Sequence, residues 1–394
     1  MTGRQCLESI LRHETPPRLC WTTLVDNLTR SVMPEPVRSL PVLDFYRHIG
    51  CDILQFGNYG LPADQQVVSP ARRVEPPHEV ETTSQPDGTQ VTTVRTEWGE
   101  LTSCTRRSHP LKHPVETRAD LQVARRMWEG TRYDEETVGA VTDRDAVGVG
   151  DPSHASRESF ARAEAALGDQ GVYIPTLAPS PVQQLLELDM GLIAFYGLWQ
   201  DYPREVEALL DAMQQARLQE WEIVARCSPA RALIAVENTS STMISPALYR
   251  RYSLPQLRAV VDVCHAHGKL VIFHMCGHLR DLLPIIRETG LDGAHATTPP
   301  PHGDTTLEQA LDVCGEDFIL MGGVFDGSVF QASEVTAEQM HRALDALYTP
   351  RLRKAKLLLA LGADGLPTPL ERFLAVGEWF AAHGSPAPAG RAAG

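Results

Sequence analysis

The 394-residue sequence contains no basic tract, no apolar run approaching bilayer length and no regular cysteine spacing, and each absence excludes something. A net charge of −14 without a basic tract leaves no positive face for a phosphate backbone, so no nucleic-acid partner is expected. No stretch is long enough to span a bilayer, and the opening from Met1 to Leu11 is polar and charged where a leader would be apolar, so no membrane association is expected. The eight cysteines, at positions 6, 20, 51, 104, 227, 264, 276 and 314, show no disulfide rhythm and indicate a reduced, cytoplasmic protein.

What is present is an apolar fraction of 43%, ample for a core, arranged in short apolar runs that alternate with helical patterns. Arg18–Thr23, Asp52–Phe56, Val172–Thr176, Ala232–Val236, Leu270–Phe273, Gly290–His295, Phe318–Gly323 and a last run from Lys356 read as strands. Helical spacing is plainest over Pro203–Cys227, with Val206, Leu209, Leu210 and Met213 on one face. Strands apolar throughout and separated by helices specify a parallel sheet, and eight or nine of them favour closure. The expected fold is α/β, a (β/α)8 TIM barrel over residues 1–383, followed by a disordered Gly/Pro/Ala-rich tail over 384–394. Between about 62 and 114 helical periodicity disappears, and alternation from Gln90 to Cys104 predicts an inserted β-hairpin turning near Trp98-Gly99. Residues 115–145 are charged and read as helical, and Leu279–Thr289 reads as a further helix.

The chemistry concentrates at the ends of the later strands. Leu270-Val-Ile-Phe stops at His274-Met-Cys276-Gly277. In an extended chain residues i and i+2 point to the same side, so the His274 imidazole and the Cys276 thiol can converge on one ion, and a nitrogen with a soft thiolate suits zinc. The alternative for so short a motif is an inert core cysteine beside a hydrogen-bonded histidine. Gly277 would remove bulk where a ligand approaches. Glu237 and Asn238 follow Leu-Ile-Ala-Val, and a carboxylate at the edge of a buried strand needs a metal, a donor or water. Glu237 is therefore a candidate ligand or general base, the alternative being an ion pair with a loop arginine. His295 is the next candidate ligand, and Asp364 stands at the end of the last strand. Asn58 and Tyr59, after the second strand, and His302, in a proline-stiffened loop, are candidate substrate contacts; His302 can equally be a solvated loop residue.

These residues carry a resemblance. The opening Arg4-Gln-Cys-Leu-Glu-Ser-Ile-Leu-Arg-His-Glu-Thr-Pro-Pro-Arg-Leu-Cys-Trp21, the helix start Ile244-Ser-Pro-Ala-Leu-Tyr249, the His274-x-Cys276-Gly277 motif and Gly362-Ala-Asp-Gly-Leu-Pro-Thr-Pro-Leu-Glu371 are similar, in order and spacing, to the uroporphyrinogen decarboxylase superfamily. The resemblance implies a (β/α)8 barrel with its site at the C-terminal ends of the strands. The decarboxylase branch carries an Arg-rich N-terminal segment for substrate carboxylates and an Asp after the second strand. Here Trp21-Thr-Thr-Leu24 and Gln55-Phe-Gly-Asn58 stand in those places.

The chain instead resembles the cobalamin-dependent methyltransferase branch, whose zinc motif His274-x-Cys276 matches and whose hairpin is similar. That branch usually takes a third zinc ligand from a Cys in a Gly-Cys-Gly turn after the last strand, where this chain has Gly362-Ala363-Asp364-Gly365. Asp364, Glu237 or His295 would then complete the site. A harder ligand set leaves zinc more electrophilic, which favours O-demethylation of a methoxylated compound over activation of a thiol. The Asp-x-His-x-x-Gly cobalamin signature is absent, so the implied partner is a separate corrinoid protein presenting its cobalamin at the barrel mouth. The competing readings are a metal-independent lyase on the same barrel and a non-catalytic barrel that binds a ligand or corrinoid protein.

Overall fold

Five consecutive buried apolar residues, Ala232 to Val236, leave no polar side for solvent, so this segment can only be an interior strand covered on both faces. The same holds for most strands of the principal sheet. The computed structural model describes residues 1–58, 60–107, 109–138, 157–323, 330, 334–362 and 365–383. In chain order the strands are β1 (Cys20–Leu24), β2 (Ile53–Gln55), β3 (Ser69–Val74), β4 (His78–Ser84), β5 (Thr89–Thr96), β6 (Gly99–Arg106), β7 (His109–Lys112), β8 (Arg132–Val138), β9 (Gly171–Tyr173) and β10 (Thr176–Leu177). They continue with β11 (Ala232–Val236), β12 (Leu270–His274), β13 (Gly293–His295), β14 (Ile319–Gly322) and β15 (Leu357–Gly362).

The seven strands β1-β15-β14-β13-β12-β11-β10 form one sheet, parallel at every pairing, and β2 and β9 form a second parallel pair. β9 and β10 are successive parts of one strand interrupted at Ile174-Pro175. Ile174 N–H donates to Gln55 O (2.8 Å) on one side, and Ile234 N–H donates to Pro175 O (2.9 Å) on the other. The order therefore runs around a TIM-barrel-like ring. Its seam lies between β1 and β2, which form no ladder: Asp52 N–H donates to Trp21 O (2.8 Å), and the Asp52 carboxylate accepts from Trp21 N–H (3.3 Å) and from the Arg18 guanidinium.

Alternation along the strands sorts their side chains into two layers. Cys20, Leu54, Val172, Ile234, Ile272, Met321 and Leu358 pack inside the ring with Cys6, Leu7, Ile10 and Leu11 of the helix Gly3–Leu11. Trp21, Ile53, Leu233, Ala235, Phe273, Leu320 and Leu359 belong to the larger outer core, together with helical residues such as Val206, Leu209 and Met213. The helix Pro203–Cys227 has the bounds that its spacing predicts. No helix among the described residues is long and apolar enough to cross a membrane.

Three regions differ from the sequence reading. The insertion is larger than one hairpin: Thr96 pairs with Gly99 around the expected turn, but β4-β5-β6-β7 form a four-stranded antiparallel sheet. Of residues 115–145, Arg118–Glu129 is helical, whereas Arg132–Val138 is a strand antiparallel to Ser69–Val74. The helix expected over 279–289 is shortened to Leu283–Arg287, because the N–H groups of Leu279 and Arg280 donate to the Asp304 carboxylate (2.7 and 3.1 Å). The tail over 384–394 lies outside the described residues.

Candidate functional site

A cavity of about 540 Å³ opens at the C-terminal ends of β1, β2, β11, β12, β13 and β15. His274 and Cys276 both reach it, because they continue the inward parity of Ile272 along β12. His295 reaches it from β13, where it is the register partner of His274. The two imidazoles meet Nδ1 to Nδ1 at 2.7 Å, and Phe56 and His295 pack edge to face with ring centroids 5.2 Å apart. Burial lowers His274 to about 4; burial, and then the neighbouring His274, hold His295 well below the usual imidazole range. Both rings are therefore neutral at pH 7, and one Nδ1–H donates to the other ring's Nδ1.

Cys276 is exposed to the cavity, and its Sγ–H donates to Asn238 Oδ1 at 3.6 Å. Asn238 in turn donates through Nδ2 to Glu187 Oε1 (2.6 Å), and Gln183 Nε2 donates to Glu187 Oε2 (3.1 Å). Thr22, Thr23, Ser240 and Thr298 add hydroxyls, while Leu24, Leu54, Met243, Ala360 and Leu361 make much of the wall apolar. None of the described lining residues is Lys or Arg. Glu187, Ser240 and the Thr22-Thr23 pair are site residues that the sequence reading did not select. A clue existed only for the threonines, which end the first strand.

Glu237 does not line the cavity. One position beyond inward-facing Val236, it shares the outward parity of Leu233 and Ala235. Its carboxyl is 1% exposed and accepts from the N–H and hydroxyl of Ser180. Burial pushes it up to about 8 against the pull of these hydrogen bonds, with a smaller push from Glu187. The structure thus places Glu237 as a buried polar tie between two strand ends, away from ligand or base chemistry in the cavity. Asn58 is likewise not at the cavity: its amide spans the loop to Val67, donating to O (3.1 Å) and accepting from N–H (2.8 Å). His302 is exposed and does not line the cavity either. Tyr59 and Asp364 lie outside the described residues.

Gly277 is required by a neighbouring loop more than by a ligand. A Cβ there would stand 2.3 Å from Ser240 Cβ and 2.4 Å from Thr239 O, so only glycine lets these strand-end turns meet. The turns are then joined by His278 N–H to Ser240 Oγ (3.1 Å) and Ser241 N–H to His278 O (2.8 Å). Gly322 plays the same part beside His295, since a Cβ would fall 2.4 Å from the nitrogen of Ala296. Cys264, on the outer face, is fully buried, and burial pushes its thiol up to about 12.

His274, Cys276 and His295 thus share one cavity wall, yet among the described residues no three His, Cys, Asp or Glu side chains stand close enough together to hold a metal ion.

The arrangement is a parallel α/β ring with its cavity at the strand C-terminal ends. Residues 190–379 match the family model of uroporphyrinogen decarboxylase (URO-D). Its fold is similar to that of a methyltransferase from Methanosarcina mazei, with a TM-score of 0.54 and 13% identity, over 97% of this chain and 99% of that one. No curated protein matches the sequence.

Proposed function

We propose that this protein is a methyltransferase that moves a methyl group between a small methylated or methoxylated molecule and the cobalt of a separate corrinoid protein. The observation that carries this reading is that His274, Cys276 and His295 open onto one largely apolar cavity of about 540 Å³, a size suited to a small ligand. The likeness in fold to a methyltransferase supports it. The absence of Lys and Arg from the described lining disfavours the lyase reading, because substrate carboxylates would meet no cation there.

Zinc is part of the proposal. The described residues alone, His295 included, do not make a three-ligand cluster, so His274 and Cys276 would need a third donor such as Asp364. Bound there, zinc would act as a Lewis acid toward a methoxy oxygen or hold a thiol as thiolate. Apart from the metal, the apolar wall would exclude water from the methyl group, the hydroxyls of Thr22 and Thr298 would orient the donor, and Asn238 would hold the Cys276 thiol toward the cavity.

The test is methyl transfer to reduced cobalamin followed by its absorbance, with metal content measured in parallel. Loss of transfer by more than about a hundredfold is expected in His274→Ala and Cys276→Ala, since changes beyond the immediate ligands of metal sites already cost up to that much. Transfer surviving both substitutions, or absent with every O-, N- and S-methyl donor in the wild type, would sink the proposal.

A further inference from the structure

Glu187 brings a charge into the cavity that the rest of the described wall does not answer. It sits in the π-helical turn Leu185–Asp189, closed by Met190 N–H to Leu185 O (3.0 Å), which follows the short helix Pro181–Gln184. Its two hydrogen-bond donors, Gln183 Nε2 and Asn238 Nδ2, are uncharged amides. A carboxylate has about four acceptor positions, so two remain. It is the one carboxylate among the described lining residues, which include no Lys or Arg. The surfaces around it are hydrocarbon, thioether and one aromatic ring: Leu24, Leu54, Leu361, Met243 and Phe56.

A negative charge inside an apolar wall attracts a cation, and this wall rewards a cation that is apolar on its outside. Ammonium groups carrying methyls meet both conditions. We propose that the cavity binds a small quaternary ammonium compound as its methyl donor, with Glu187 as the counter-ion. This rests on the methyl-transfer reading above and names its substrate class. In the transfer the C–N bond breaks and its electron pair stays on nitrogen. The methyl group joins the two-electron-reduced cobalt of the corrinoid acceptor, which supplies the electron pair of the new bond. The quaternary cation thereby becomes a tertiary amine, released with its electron pair on nitrogen and free to take up a proton.

The experiment is calorimetric titration of the full chain with choline and with its uncharged carbon isostere, 3,3-dimethylbutan-1-ol, on wild type and Glu187→Gln. Wild type should bind choline at least about tenfold more tightly than the isostere, from one uncompensated charge at short range. Glu187→Gln should lose that preference while still binding the isostere as wild type does, which also shows that the cavity is intact. Equal binding of the two compounds by wild type, an unchanged preference in Glu187→Gln, or no binding of either would overturn the proposal. The methyl-transfer reading is separated by offering reduced cobalamin to the choline complex. A choline preference without transfer would leave the ligand class standing and remove the methyltransferase. Transfer from neutral methoxy donors with no choline preference would do the reverse.

Discussion

Glu237 and Glu187 are two carboxylates of the same strand-end region held in opposite ways. Glu237 lies outside the ring, sealed from solvent, with both oxygens taken by Ser180. Glu187 lies at the cavity and is held by two amide donors. The first is a structural tie whose proton is retained by burial; the second is a charge presented to a ligand. The contrast teaches that proximity to a strand end does not make a residue part of the site: the side of the sheet on which it falls does.

The largest expected effect concerns the sealed member. A carboxyl raised from 4.5 to about 8 keeps its proton in the folded state where the unfolded chain has lost it. Its contribution is fully present below pH 4.5 and disappears as pH rises through 8, a loss of the order of 4–5 kcal/mol at 1.36 kcal/mol per unit. Urea unfolding of wild type and Glu237→Gln at pH 5.5, 7 and 9 isolates this contribution. The gap between the two should move in favour of the variant as pH rises, and parallel curves would break the contrast with Glu187.

A smaller effect is expected where the two strand-end turns meet. Gly277→Ala forces a Cβ against Ser240 and Thr239, and crowding of this kind costs about 1–3 kcal/mol. The same shift displaces Cys276, so methyl transfer should fall along with stability. A lower melting temperature with unchanged transfer would show that this shell does not position the cavity.

The smallest effects belong to the peripheral polar residues. Asn58→Ala should lose about 1–2 kcal/mol from its two bonds to Val67, and His302→Ala less than about 0.5 kcal/mol. Transfer by both variants should match wild type; a large loss in either would carry the site beyond the described cavity.

Much of this was legible in the sequence, and the parts that were not have physical reasons. The runs Ala232–Val236 and Leu270–His274 specify strands, and the i, i+2 rule brings His274 and Cys276 to one side. Which side of an all-apolar strand faces inward cannot be read from the strand itself, and that choice turned Glu237 outward and Asn238 inward. Glu187 depends on a π turn that the pattern Leu-Leu-Glu-Leu-Asp does not announce. Arg132–Val138 looks helical locally and is made a strand by a partner some sixty residues earlier. Pairing of that kind is invisible to a local window.

The long excursion between β2 and β9 has a consequence for how such chains can vary. Ile53 pairs with Gly171, so the chain leaves the ring at one strand and returns at its neighbour 118 residues later. Loop-closure entropy grows only logarithmically, and each doubling of a flexible loop costs about 0.6 kcal/mol. An excursion four times longer than an ordinary crossover of thirty residues therefore costs about 1 kcal/mol more to close. Growth at this point is thermodynamically cheap, and the strand order around the cavity is unaffected by how much chain is accommodated there.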